Sequence, residues 1–416
     1  MNRRDVVITG IGVVSPIGIG REAFWESLVK GRSGICVRER FAETDWPIRI
    51  AAPVKDFVGK QFIKPRKAIK IMCAPIQYGC AAAAMAVEEA GISQSVVAAE
   101  RMGTVIGTET FYADPNEVAD VFRKCTVNED YQHDKWGEFA MREIQPLWML
   151  KYLPNMVASH ISIANDARGP SNSICQGEVS GMLALIEAAD LIQRGAANVV
   201  VAGGTGSMMN LTAMLYRGTD DLSRRINEPQ QACRPFDVMR DGIVVGAGAG
   251  AFVLELAEHA EARGAKVLAR ISGWARSFMN TASERFADAV AANYRAALDS
   301  AQVESGDIGL VNSNASGAVA MDQVEADAIR SVFADAPVVA HKSSFGNLGP
   351  GTSAVEFIAS VLAIENGIIP ASLNCDNVDP KCGINIVTEN QNLNSEQFVL
   401  KSSFSNTGQI ASVVIK

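Results

Sequence analysis

The sequence predicts an α/β fold with a repeated plan, on three observations. A short β-leaning run at 171–174 meets a turn at Gln176-Gly177-Glu178 and then a helical pattern over 179–194. In that pattern Met182, Leu185, Ile186, Ala189 and Ile192 recur at spacings of three and four, which marks one buried face. Gly195 closes the helix, and 198–202 (NVVVA) reads as a buried strand. The second observation is that Lys342-Ser343-Ser344-Phe345-Gly346-Asn347 leads into a helical pattern over 354–365, then Gly367 and a strand, at the same scale. Third, 416 residues with 48% hydrophobic and 20% charged side chains can bury two domains or one large duplicated one. Periodicity alone supports α/β, with the duplication as an expectation.

In chain order, residues 5–12 (DVVITGIG) read as a strand interrupted by glycines, followed by a turn and a helix over 21–30. Residues 74–90 form a small-residue helix suited to burial against a sheet, and 101–108 the next strand. The least regular stretch is 111–153, rich in charge and aromatics. A glycine-rich segment ends near 250, a charged helix covers 256–263, and a strand covers 266–273. The start (MNRRDVVITGIG) carries two arginines but becomes a strand, unlike a signal peptide, and the apolar run at 243–256 is too short to span a bilayer. A net charge of −8 argues against nucleic acid or an anionic membrane as the main partner. Eight cysteines without CxxC spacing suit reduced thiols in a cytoplasmic protein, with Cys73 and Cys80 as core fillers. The four histidines are isolated, so no metal is expected, and no cofactor either.

A strand that turns sharply into a helix holds the residue at the bend under the unpaired N–H groups of the helix start. Acyl-transfer enzymes place their nucleophile there, because those groups favour negative charge. The residue at this bend is Glu178. Around it, Gly169-Pro170-Ser171-x-Ser173-Ile174, Ser180-Gly181 and Val201-Ala202-Gly203-Gly204 resemble the nucleophile region of β-ketoacyl-acyl-carrier-protein synthases. The opening VVITGIGVVSPIG…FWESLVKGRSGI, the Asn155-Met156-Val157-Ala158…His160 run and the RPFD…RDG…GAGAG stretch (234–250) extend the resemblance along nearly the whole chain. It implies a thiolase-like fold: two duplicated α/β halves, 1–255 and 256–416, packed as a five-layer αβαβα arrangement. It also implies that the 111–153 insertion crosses a dimer interface and borders an acyl tunnel. A surface excursion held by its own aromatics is the plainer alternative.

Ungapped matching sets Glu178 on the family's cysteine, Asn314 on its first catalytic histidine and Asn347 on its second. Asp322, Glu325 and Lys342 keep the types of the family's supporting residues. Phe404-Ser405-Asn406-Thr407-Gly408 stands at the gating loop, so Phe404 and Asn406 join Phe111, Tyr112 and Trp148 as substrate-binding candidates. A carboxylate at a helix start is favoured by roughly 0.3–1 kcal/mol. Acylating it would give an anhydride, its charge repels a malonyl carboxylate, and asparagine donates hydrogen bonds without shuttling protons near neutral pH. Cys175 is a poor substitute, expected on the buried strand. His341 is poorer, because strand alternation turns it away from Lys342. His160 is expected to be a satisfied structural histidine.

The pattern resembles chain-length factors, the partner subunits of type II ketosynthases, although better-known members carry glutamine at the elbow. It implies a catalytically silent partner of an active ketosynthase, working with an acyl carrier protein. The competing readings are a Glu178-dependent acyl-thioester enzyme, acting as transferase or decarboxylase, and a homodimeric acyl-binding scaffold. The basic run Lys64, Arg66, Lys67 and Lys70 serves equally as a docking patch for an acidic carrier or as a solvated helix face.

Overall fold

Glycine and alanine set how closely the first strand and the first long helix pack. The structure, a computed structural model, describes residues 5–39 and 46–416; the arginines at 3 and 4 lie outside that range. The opening strand Val6–Ser15 is buried along its whole length and runs on past the glycines expected to interrupt it. The helix Ala74–Ala90 lies against it so tightly that a Cβ on Gly12 would fall 2.0 Å from the Ala82 carbonyl oxygen. Glycine here makes room for a neighbour and leaves the strand unbroken.

The main sheet runs in the order Val338–Val339, Ile308–Asn312, Phe398–Phe404, Gln409–Ile415, Ala269–Phe278, Val6–Ser15, Ala247–Leu256, Val199–Ser207, Met102–Gly107, Ser171–Ile174. The duplication is visible in the pairing. In the first half Val6–Ser15 pairs antiparallel with Ala247–Leu256, which pairs antiparallel with Val199–Ser207; Met102–Gly107 and Ser171–Ile174 then follow in parallel. The second half repeats this: Ala269–Phe278 and Gln409–Ile415 antiparallel, Phe398–Phe404 antiparallel, then Ile308–Asn312 and Val338–Val339 parallel. The halves join where Val6–Ile8 pairs with Ala269–Ile271.

Helices complete five layers. Ala74–Ala90 covers the outer face of the first half, and Phe286–Ala301 with Val319–Val332 covers that of the second. Between the halves lie Ser180–Gln193 and Thr352–Asn366, each leaving an elbow and touching the other and strands of both halves. The layers enclose a central core, with Leu185, Ile186, Phe252 and Phe357 among its members, one further large core in each half, and smaller clusters besides. This is the thiolase-like arrangement, and it brings the two elbows together in the middle layer.

Residues 111–153 form short helices, Ala119–Cys125 and Trp136–Glu143, and a two-residue hairpin. Phe122 packs on both Tyr131 and Trp136, yet Met141, Leu147 and Met149 stand 87%, 56% and 59% exposed. Among the described residues no helix is long and apolar enough to cross a membrane, and no group of three or more His, Cys, Asp or Glu could hold a metal ion.

Candidate active site

Glu178 owes its position to hydrogen bonds from both halves. After the edge strand Ser171–Ile174 the chain turns at Gly177, whose φ of +68° suits glycine. The Ser180 hydroxyl accepts from the Gln176 N–H at 2.8 Å and donates to the Gly177 carbonyl at 2.7 Å, closing the bend. From the second half, the Ser353 hydroxyl donates to the Glu178 carbonyl at 2.9 Å and accepts from the Met182 N–H at 3.1 Å. A Cβ on Gly204 would meet the Pro350 carbonyl oxygen at 2.3 Å, so the small residues around the first elbow let the second approach.

Asn314 follows the buried strand Ile308–Asn312 and is held from every side. Its N–H donates to both Glu325 oxygens, at 2.8 and 3.0 Å, and its side-chain NH2 donates to the Phe404 carbonyl at 3.2 Å. Lys342 Nζ donates to its carbonyl at 2.6 Å. The next turn is fixed by Asp322, which accepts from Ser316, Gly317 and Phe236 N–H groups at 2.9, 3.0 and 3.1 Å. Asn347 sits at the second elbow. Its Oδ1 accepts from the Gly349 N–H at 2.9 Å and the Thr352 hydroxyl at 3.1 Å, which leaves its amide NH2 as the polar group it can offer the cavity.

Glu178, Asn314, Asn347, Lys342, Asp322, Phe404 and Asn406 all line one cavity of about 30 Å³. That is room for about two waters and not for a substrate chain. Glu178 and Asn406 also line a neighbouring cleft of about 780 Å³, within the usual range of ligand pockets. Phe111 and Tyr112 line a different cavity, of about 340 Å³. Trp148 borders neither Glu178 cavity; its Nε1–H donates to Glu117 at 2.8 Å, and Glu117 also accepts from Tyr152.

Behind Asn314 lies a buried charge cluster that sequence reasoning missed in part. Glu356 pairs with Lys342 at 3.0 Å and Lys401 at 2.8 Å, all three buried. Burial pushes the Glu356 carboxyl up, but the two ammoniums outweigh it and hold the group below its ordinary range. Burial brings Lys401 down to about 8 and raises Glu325 to about 6, although the Asn314 N–H and both lysines pull Glu325 back. Desolvation likewise raises Asp322. The available signal was a single charge within each of two apolar runs, AVEFIASVLA and FVLKSSF.

Three side chains differ from expectation. Cys175 is exposed just past the strand end, and partial burial raises its thiol, the wrong direction for a thiolate nucleophile. His341 immediately precedes the short helix Lys342–Phe345 without a side-chain capping bond, so helix geometry, not strand alternation, separates it from Lys342. It is buried outside the cavity and held neutral, at about 4, by desolvation. His160 is buried as expected, but its Nε2 has no hydrogen-bond partner among the described residues. The basic run falls on the exposed turn Arg66–Ile71 and its flank, with all four cations facing solvent.

The Beta-ketoacyl synthase N-terminal domain matches residues 3–260 and its C-terminal domain residues 268–376. The chain belongs to the β-ketoacyl synthase family. It is 32% identical to 3-oxoacyl-[acyl-carrier-protein] synthase 2 of Vibrio cholerae, with 100% of both chains covered. It is 29% identical to the synthase of the same name from Staphylococcus aureus, over 100% of this chain and 98% of that one. Among solved structures, the ishigamide ketosynthase/chain length factor superposes with a TM-score of 0.86 at 28% identity, covering 99% of each chain. A type II polyketide synthase acyl-carrier protein complexed with its hexaketide-bound ketosynthase gives 0.86 at 25% identity, covering 100% of each. Within this β-ketoacyl synthase fold, the cavity at the paired elbows is lined by two carboxylates (Glu178, Asp322), three amides (Asn314, Asn347, Asn406) and one ammonium (Lys342), which can hold hydrogen-bonding groups in place but, among the described residues, include no thiol or imidazole.

Proposed function

We propose that this β-ketoacyl synthase homologue is a catalytically silent subunit, a chain-length-factor-like partner of an active ketosynthase that handles chains on an acyl carrier protein. The observation that carries this reading is the lining of the elbow cavity, where Glu178, Asn314 and Asn347 converge without a sulfur nucleophile or an imidazole. A thioester exchange needs a leaving-group-competent nucleophile and oxyanion donors. Here the donors remain and the nucleophile is a carboxylate, whose acyl anhydride lies above the thioester in energy. Two structural relatives, one a ketosynthase/chain length factor and one a ketosynthase bound to its acyl-carrier protein, supply the class of partner. The exposed cations Lys64, Arg66, Lys67 and Lys70 suit an acidic carrier.

A second reading draws on the 780 Å³ cleft that opens onto Glu178, because a carboxylate facing a ligand-sized space can act as a base or a nucleophile. Incubation with acyl- and malonyl-loaded carrier protein separates the two. The silent reading expects no carbon dioxide and no covalent adduct from the wild type, and acylation gained by the Glu178→Cys, Asn314→His, Asn347→His variant. Wild-type carbon dioxide release or a Glu178 adduct, lost in Glu178→Gln, would replace it with the second.

A further inference from the structure

Two cavities beside the elbow are each lined by one partner of a single ion pair. The larger, about 780 Å³, runs from Glu178 past Met214, Leu222 and Val245, and Arg217 lines it. The smaller, about 340 Å³, is bordered by Met72, Phe111, Tyr112 and Leu211, and Glu109 lines it. Arg217 and Glu109 form a salt bridge, with side chains 35% and 9% exposed.

The pair is anchored at both ends. Glu109 follows the strand Met102–Gly107 and accepts weakly from the Ser207 N–H at 3.4 Å. A Cβ on Gly349 would stand 3.2 Å from Glu109 Oε1, so glycine at that point leaves room for the carboxylate two residues from Asn347. Arg217 ends the helix Leu211–Arg217 and also touches Met208 Sδ. Asn210 caps that helix through the Thr212 and Ala213 N–H groups, and its NH2 donates to the Tyr112 carbonyl at 3.0 Å. The helix carrying Arg217 is thereby tied to the segment carrying Glu109. Burial raises the Glu109 carboxyl and Arg217 pulls it back, so the carboxylate depends on its partner.

We infer that the Glu109–Arg217 ion pair is the wall that limits how far a chain-like apolar ligand entering beside Glu178 can reach, and so is a specificity-determining pair. An apolar chain cannot replace either charge. To pass, it must part the pair and leave a carboxylate buried without a partner. Short chains fit the larger cleft, and longer ones meet the wall. The inference rests on the proposed acyl-binding role.

The test is calorimetric binding of pantetheine amides of straight-chain acids, four to fourteen carbons long, to the wild type and to Glu109→Ala/Arg217→Ala, which removes both charges together. Each buried methylene is worth about fourfold in affinity. The wild type is expected to stop gaining affinity at an intermediate length, while the double variant keeps gaining about fourfold per methylene over several more carbons. Plateaus at the same length in both proteins overturn the inference. Absence of binding at every length in both overturns the parent reading and the inference with it. If the double variant does not fold, Glu109→Gln/Arg217→Met keeps the bulk without the charges, and an unchanged plateau there is equally fatal.

Discussion

At the scale of single residues, His341 shows how burial fixes a protonation state. It is 1% exposed and held at about 4 instead of 6.5, with Glu356 favouring the charged form and Lys401 opposing it. Between those two values the unfolded chain binds a proton that the folded chain does not, so stability falls as pH drops from 6.5 to 4. The imidazole contributes about 3 kcal/mol to that loss. Glu325, raised to about 6, acts in the opposite sense: the folded chain keeps its proton longer, so this term weakens the fold as pH rises from 4.5 through 6, by about 2 kcal/mol. The histidine is the larger of the two. Urea unfolding of the wild type and His341→Gln at pH 4 and 6.5 should therefore give a stability gap that changes by about 3 kcal/mol between the two conditions. A constant gap would mean that the ring is protonated inside the fold.

At the scale of elements, the middle of strand Phe398–Phe404, the end of strand Ile308–Asn312, the short helix Lys342–Phe345 and the helix Thr352–Asn366 meet at two ammoniums and one carboxylate. Glu356→Gln removes the carboxylate ion-paired to both lysines and should cost about 3–5 kcal/mol in denaturant unfolding. Lys401→Met leaves a one-to-one pair with Lys342 and should cost far less. Equal losses would show that Lys401 also carries weight through its bonds to the Ser313 and Asn312 carbonyls. The strands and helices themselves were legible where spacing was regular: the helix expected over 179–194 spans Ser180–Gln193, and that over 354–365 spans Thr352–Asn366. The strand at Val6–Ser15 was under-read, because a glycine that admits a neighbouring helix looks in sequence like one that ends a strand. Glu109 and Arg217 gave no sign, since their pairing joins positions 108 residues apart and no local pattern marks it.

At the scale of the whole molecule, the fold class was readable through the family resemblance, and the five layers follow from two halves with the same pairing order. Among the described residues, the insertion carries one group of exposed apolar side chains, Phe122, Val127, Met141, Leu147 and Met149. Exposed apolar groups gathered in one segment mark a place where another chain docks. On the proposed partnership, Met141→Asp/Met149→Asp should abolish co-purification with a cysteine-bearing homologue. Single surface changes of this kind shift stability by about 0.5 kcal/mol or less, so the melting curve of the subunit alone should stay nearly in place. Retained co-purification would move the interface elsewhere, with the edge strand Ser171–Ile174 the next surface to alter.

The grip of the Ser353 hydroxyl on the Glu178 carbonyl spans 175 positions of sequence. A fragment cut between the repeats would carry the bend but not its fastener, and the other fragment would carry the fastener with nothing to hold. Mixing the two pieces could rebuild the cavity only if they first found each other through their middle helices, so the shape of the reactive corner is a property of the joined repeats and of neither alone.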